Sequence, residues 1–224
     1  MIKVEKIDVW GFEHAIRGMR NPMNSWDKSD SGWKIWSPEY PNLSEAEYMV
    51  GKNDLDLMRR LYQAGPEHRK LFRQIFISMD ITAPLYWWKE FDTYKIGTTA
   101  DSCSTMHKIH AKEFAIEDFS TEHLETLARF DEDGEMHKPY MVLKVVIDCL
   151  NACRNSYLQT KNKTDWWQMI QLLPSSYNQK RTVTMNYENV VTMIRQRTGH
   201  KLDEWTDFVT LLHGLPYIAE IIDE

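Results

Sequence analysis

One stretch limits the possible folds of this chain more than any other. It runs over residues 71–109, LFRQIFISMDITAPLYWWKEFDTYKIGTTADSCSTMHKI. From Phe72 to Thr82 it is rich in β-favouring residues with partial alternation, which predicts a strand. Pro84 stands where a helix can begin, because the N–H that proline lacks would be unpaired there anyway. Leu85 to Phe91 then supplies a bulky apolar turn and a half. Gly97 to Thr105 is crowded with short polar groups and reads as a loop. Its backbone N–H and hydroxyl donors can approach an anionic ligand, or can cap one another in solvent.

The flanking sequence yields to the same reading. Ile2, Val4, Ile7 and Val9 alternate with Lys3, Glu5, Lys6 and Asp8, predicting a first strand whose phase slips once near Lys6. Phe12 to Arg20 predicts a short helix, with Arg17 and Arg20 either on an exposed face or in a functional role. Residues 21–53 are loop-like, punctuated by Trp26, Trp33 and Trp36, and a loop of that size in a compact domain points to a functional segment or a lid. Ser44 to Glu47 could cap a short helix, and Asn53 to Tyr62 predicts a clearer one, with Asn53 as its N-cap and Gly65-Pro66 as its stop.

Further on, residues 106–119 and 121–127 read as helices, and 130–135 as a solvated acidic turn. Tyr140 to Gln159 carries apolar residues at spacings of three and four and is the best long helix. Asp165 to Leu173 is a second, stopped by Pro174. Thr182 to Tyr187 is a short strand by its β-branched content, Glu188 to Arg197 a helix, and Leu202 to Ile222 an amphipathic helix broken or kinked at Pro216.

Composition narrows the classes. The 224 residues suit one α/β domain, or a compact domain with an insertion, and the 42% apolar content is ample for a core. A net charge of −6 gives no electrostatic case for nucleic acid or an anionic membrane. No segment approaches the roughly twenty apolar residues that span a bilayer, and the first residues lack the layout of a secretory signal. The odd number of cysteines, Cys103, Cys149 and Cys153, without metal spacing, points to a reduced, cytoplasmic setting. His107 and His110 lie three apart, which is not the metal-binding helical pair, so no metal is expected. Nine Trp and ten Tyr fill a core and leave some for interfaces, so oligomerisation is expected.

The order of parts resembles the flavin-dependent thymidylate synthases. That family has a strand, an Ala-Pro step, a helix, and then the motif R-H-R-x-x-S-x-N-x-x-S-x-R. Here Ala83-Pro84 falls at the Ala-Pro step, and Thr93 to Thr105, TYKIGTTADSCST, falls on the motif. Lys95 stands at its second Arg, Thr98 at its first Ser and Cys103 at its second Ser. Thr93 and Thr105 replace the outer arginines, Tyr94 the His and Ala100 the Asn. Upstream, His68 and Phe72 fall on the family's H-E-T-P-F-E-H, with Arg73 and Gln74 in place of its acidic residue and second His. A second block agrees in order: Leu173-Pro174, Lys180-Arg181, Met185-Asn186 and Arg197, with the family's spacing from Asn186 to Arg197.

The resemblance implies an α+β fold, an antiparallel sheet flanked by helices with long helices in the C-terminal half, forming a single domain over 1–224 with a loop-rich insertion at about 21–53. It implies a homotetramer with sites shared between subunits. It implies methylation of dUMP to dTMP using FAD, a nicotinamide cofactor (NADPH) and methylene-tetrahydrofolate, in which the flavin carries the redox step and the protein supplies position and charge. Mapped onto this chain, Arg197 and Cys103 are the catalytic candidates. Glu90, Lys95, Asp101, Cys103, Ser104, Lys180, Arg181 and Arg197 would contact the pyrimidine nucleotide. His68, Tyr94, Lys95, Thr98, Asn186 and Thr192 would contact the flavin. Arg197 also has a physical case: a guanidinium presents a fixed fork of donors to a uracil carbonyl or a phosphate, though a cation closing a helix ahead of Gly199 is a common arrangement in itself. Two alternatives stay open: a relative without catalysis that serves as a nucleotide-binding or structural oligomer, and an unrelated intracellular interaction protein.

Overall fold

The computed structural model describes residues 2–35 and 46–223. Eight strands and eight helices follow one another along these residues. β1 (Lys3–Trp10) leads to α1 (Phe12–Arg20), then β2 (Gly32–Ile35), β3 (Ala46–Met49) and α2 (Lys52–Gln63). The central stretch gives β4 (Phe76–Pro84), α3 (Leu85–Phe91) and β5 (Thr98–Ser102). After β6 (Arg129–Phe130) and β7 (Met136–His137) come the long α4 (Pro139–Thr160) and α5 (Lys163–Leu172). The chain closes with β8 (Asn178–Asn186), α6 (Tyr187–Arg197), α7 (Asp203–His213) and α8 (Ile218–Ile222). β1, β4, β8 and β5 form one antiparallel sheet in that order, so the fold is α+β, as expected. No helix among the described residues is long and apolar enough to cross a membrane.

The residues divide into two compact units. In the first (1–4, 81–93 and 101–182), α4 packs along α5, and Leu143, Ile147, Leu150 and Met169 close over Ile109, Phe114 and Phe119. Trp87, Trp88 and Phe91 of α3 are fully buried in the same unit, their rings within 4.9–5.2 Å of one another. In the second unit (5–80, 94–100 and 183–224), α6 packs on α7 and α2 on α8, and Trp205, Phe208, Leu212, Ile218 and Ile221 bury completely.

Several expectations change. Lys6, where the alternation of β1 slips, takes a left-handed φ of 53°: the extra residue is accommodated as a local kink of an edge strand. Thr98 to Ser102 is strand, not loop, because β5 pairs at the sheet edge beside β8 and the ladder continues in Cys103 N–H to Lys180 C=O (2.9 Å). Residues 106–119 form no α-helix, only a short 3-10 turn at Ile116–Asp118, and 121–127 form turns. Their few apolar side chains serve as plugs: Ile109, Phe114 and Phe119 reach the core while the backbone stays irregular. The acidic turn is real: Asp131 accepts from the N–H groups of Asp133 and Glu135 between β6 and β7. The last helix is two, α7 and α8, separated at Pro216 and a left-handed Tyr217.

Of the loop-like stretch expected over 21–53, residues 36–45 with Trp36 lie outside the described residues, and the described parts gather around a buried carboxylate. β2 and β3 pair antiparallel from Gly32↔Met49 to Ile35↔Ala46, and the helix expected over Ser44–Glu47 gives way at Ala46 to β3, with Ser44 and Glu45 outside the described residues. Asp54, fully buried, accepts from Arg20 Nε (2.6 Å) through one oxygen. Its other oxygen accepts from the Ser29 and Ser31 hydroxyls (2.7 and 2.6 Å) and from the N–H groups of Asp30 and Ser31. Asn53 is not the cap of α2. Gly51 occupies that position, and Asp30 caps from a distance by accepting from Asn53 N–H and Asp54 N–H. A Cβ at residue 51 would lie 2.2 Å from the Asp30 carboxyl carbon, so only glycine leaves room for that cap. Arg20 is accordingly buried and structural, while Arg17 is exposed.

Burial alone would raise the Asp54 carboxyl, but the hydrogen bonds from Ser31, Ser29 and Arg20 outweigh it and hold the group below the usual carboxylate range. Its contribution is therefore present above the unfolded-state carboxyl value and lost as pH falls through the lowered folded value. Asp54→Asn, which leaves Arg20 buried without its counter-charge, should cost about 3–5 kcal/mol in urea unfolding at neutral pH. The deficit relative to wild type should shrink in acid; a midpoint equal to wild type at neutral pH would refute the assignment.

Candidate functional site

The clearest convergence of predicted site residues lies along α6 in the second unit. Asn186 caps the helix, its side-chain oxygen accepting from Asn189 N–H (3.1 Å). Asn189 turns its amide to the chain at 96–98, donating to the Ile96 carbonyl (2.8 Å) and to the Thr98 hydroxyl (3.1 Å). At the other end of α6, Arg197 Nε donates to the Tyr94 hydroxyl (3.0 Å), which donates in turn to the Gln196 side-chain oxygen (3.0 Å). The segment 94–98 thus lies along the helix with one latch at each end.

Arg197 is half-buried and aromatic rings surround its guanidinium. Its central carbon lies 4.6 Å from the centre of the buried Trp205 ring and 5.5 Å from that of Tyr94, and Nη1 is 3.3 Å from His200 Nε2. His200 is itself fixed, its Nδ1 accepting from Leu202 N–H (3.2 Å). Such stacking holds a guanidinium in one orientation, which suits recognition of a carbonyl or phosphate oxygen. Lys95, between the latches, is exposed. Gly97 has φ +75°, and a Cβ there would lie 2.5 Å from the Asn186 amide nitrogen and 3.1 Å from that of Asn189. The glycine therefore leaves both amides uncovered by any side chain at 97.

The remaining candidates have surroundings of their own. Thr192 is on α6, but its hydroxyl donates to the Glu188 carbonyl (2.7 Å), a bond within the helix. His68 is exposed beside Glu67 (3.8 Å) and lines a different cleft of about 270 Å³ with Gln74, Leu71 and Met19. Glu90, Asp101, Cys103, Ser104, Lys180 and Arg181 belong to the first unit. There Arg181 is committed structurally: it bonds Asp92 (2.7 Å) and Gln179 (3.0 Å) and lies 4.1 Å over the Trp88 ring. Cys103 is a free, exposed thiol whose backbone carbonyl accepts from Gln179, and the Ser104 hydroxyl accepts from His107 N–H. The Glu90 carbonyl accepts from Thr93, and Asp101 is exposed on β5.

No protein-family model matches the sequence, and no curated protein does. Solved structures do match. A thymidylate synthase X from Helicobacter pylori, crystallised with FAD and dUMP, superimposes with a TM-score of 0.66 at 14% identity, over 100% of this chain and 98% of that one. A second structure of the flavin-dependent enzyme from the same organism, also complexed with FAD and dUMP, gives 0.64 at 14% identity over 98% and 99%. The chain has the flavin-dependent thymidylate synthase fold.

Within that fold, the departures from the family's motif acquire definite surroundings. Tyr94, at the His position, is buried and bonded to Arg197 itself. Thr98, at the first Ser, receives the Asn189 amide. Four neighbours escaped the sequence reading as site residues: Asn189, Gln196, His200 and Trp205. The Asn-x-x-Asn spacing at 186 and 189 was an available sign of a capped helix. Trp205 is indistinguishable in sequence from any core aromatic of an amphipathic helix.

Gly97→Ala should destabilise the second unit by about 1–3 kcal/mol, because an L-residue is strained at this φ and the Asn186 amide, pinned by its cap bond, blocks the Cβ. Urea unfolding measures the loss; a wild-type midpoint would mean that the amide moves aside without cost.

Proposed function

We propose that this chain is a divergent flavin-dependent thymidylate synthase-like protein that holds an anionic pyrimidine nucleotide beside a flavin. Its reaction is methylation of dUMP to dTMP with FAD, a nicotinamide cofactor and methylene-tetrahydrofolate, or the corresponding step on a related pyrimidine nucleotide. The observation that carries the reading is Arg197, gripped by Tyr94 and Trp205 at the end of α6 and oriented by the same loop that bears Lys95. The chain-long fold match to enzymes solved with FAD and dUMP supports it.

The residues fit a flavin and a nucleotide. Arg197 and Lys95 would be the donors for phosphate or carbonyl oxygens, and Asn186 and Thr98 would contact the flavin, held in place by Asn189 and by the close approach that Gly97 permits. Bound FAD would supply the electron-transfer chemistry. The chain's own part is to bind and orient. We also propose a single domain acting as a homo-oligomer, a tetramer by analogy, in the cytoplasm. Exposed apolar residues support the oligomer: Ile96 is 91% exposed beside Lys95, and α4 leaves Met141, Val142 and Val145 half-exposed or more.

A second reading is favoured by Tyr94. Its hydroxyl engages Arg197 directly, and threonines stand at both outer motif arginines, so the phosphate partners are fewer than in the family. A protein of this kind would retain the nucleotide without transferring a methyl group.

Purified protein should show the absorption bands of bound flavin and bind dUMP by calorimetry. Arg197→Ala should weaken dUMP binding by about 2–4 kcal/mol, roughly 30- to 1000-fold, with an unchanged far-ultraviolet circular dichroism spectrum. dUMP binding without flavin would select the second reading. Unchanged affinity in Arg197→Ala would remove that residue from the site.

A further inference from the structure

The first unit contains a small pocket of about 270 Å³ where the loop after β5 meets the junction of α4 and α5. His107, His110, Lys161 and Lys163 line it, together with the rings of Tyr157 and Trp166. Among the described residues no carboxylate lines it. In a chain of net charge −6, such a run of basic groups is a local reversal of sign, and it attracts anions by simple Coulomb attraction.

The pocket is built, not frayed. Trp166 Nε1 donates to the Met106 carbonyl (2.9 Å), tying the loop to α5. Arg154 Nε donates to the His110 carbonyl (3.0 Å), tying the same loop to α4. The His110 ring meets Tyr157 edge-on at 4.9 Å, and the Lys161 ammonium stands 5.5 Å from the centre of the Tyr157 ring. Lys161 adopts a left-handed φ of 56° at the end of α4, with its N–H bonded to the Tyr157 carbonyl (2.8 Å). That turn brings Lys161 and Lys163 to the same side as the loop histidines. His110 is packed into the wall of the pocket, with its Nδ1 buried.

The geometry points to a binding site for a small aromatic phosphate, a phosphomonoester carried on one planar ring and no larger than a mononucleotide. The phosphate is held by the Lys161 and Lys163 ammonium groups as point charges, and the ring lies against Tyr157 and Trp166. The volume, just below the usual range of ligand sites, suits a single ring with its phosphate. No residue of the Arg197 group takes part, so the inference stands or falls separately from the proposed function.

Calorimetry on the full chain with phenyl phosphate and with inorganic phosphate tests it. Phenyl phosphate should bind about tenfold more tightly than inorganic phosphate, since only the former uses the rings. Lys161→Ala/Lys163→Ala, at two exposed positions, should weaken phenyl phosphate binding about tenfold or more, and Arg197→Ala should leave it unchanged. Equal affinity for the two probes overturns the aromatic assignment. Wild-type affinity in the double lysine variant, or loss in Arg197→Ala alone, overturns the site. If the double variant fails to fold, the Trp166 indole N–H resonance of the wild type, identified with Trp166→Phe, supplies the same answer. It should shift with phenyl phosphate, and a silent resonance counts against the site.

Discussion

The guanidinium of Arg197 lies over Trp205 and is bonded at Nε to Tyr94, and the arrangement of the second unit around α6 follows from keeping it there. A cation over an indole is worth about 0.5–2 kcal/mol depending on how far it is desolvated. That is a modest amount for stability and a useful one for orientation. It lets a charged group end a helix, half-shielded, with its direction settled before any ligand arrives. The same contact commits the neighbouring loop: once Tyr94 is bonded to Arg197 and Gln196, the residues up to Thr98 must run along α6, and Asn189 secures their far end. Pre-set direction is what a protein contributes when bound cofactors carry the chemistry.

Two glycines show how closely backbone approaches are set in this unit. At Gly97 the missing side chain makes room for the Asn186 and Asn189 amides; at Gly51 it admits the Asp30 carboxylate that caps α2. In each case the polar group that would clash with a Cβ is already committed elsewhere, Asn186 as a helix cap and Asp30 as the acceptor of two helical N–H groups. The Asp54 network beside Gly51 extends the same logic. A single buried carboxylate gathers Arg20, Ser29, Asp30 and Ser31, and so fixes the approach to β2 without an apolar core of its own. Polar satisfaction of this kind is unforgiving, because every removed partner leaves another buried group exposed to its own desolvation cost.

The sequence made α4 and α6 legible because their apolar residues recur at helical spacing over ten or more positions, and β4 in part, because its β-favouring residues are bounded by Pro84; Phe72–Gln74, expected as the start of that strand, are instead the end of a 3-10 turn. It also showed the slip at Lys6. It failed at 106–127, where Ile109, Phe114 and Phe119 mimic a helical stripe but are separate plugs from an irregular chain. It failed at Thr98–Ser102, where strand character comes from the partner β8 and not from the residues' own preference. It read 21–53 as loop because the Asp54 network is stitched by contacts 20 to 34 residues apart, which no local pattern displays.

For the candidate site the division is similar. The sequence by itself determined the strand–proline–helix unit and the order of the two blocks around Lys95 and Arg197, since these depend on local propensity and spacing along one chain; the α+β class was implied by the family resemblance that this order carries. Only the tertiary structure decided that Tyr94 and Trp205 hold Arg197, that Arg181 is tied to Asp92 and Trp88, and that His107 and His110 share a pocket with Lys161 and Lys163. The physical reason is that a side chain's role depends on which partners desolvate and orient it, and those partners arrive from distant positions when the chain folds.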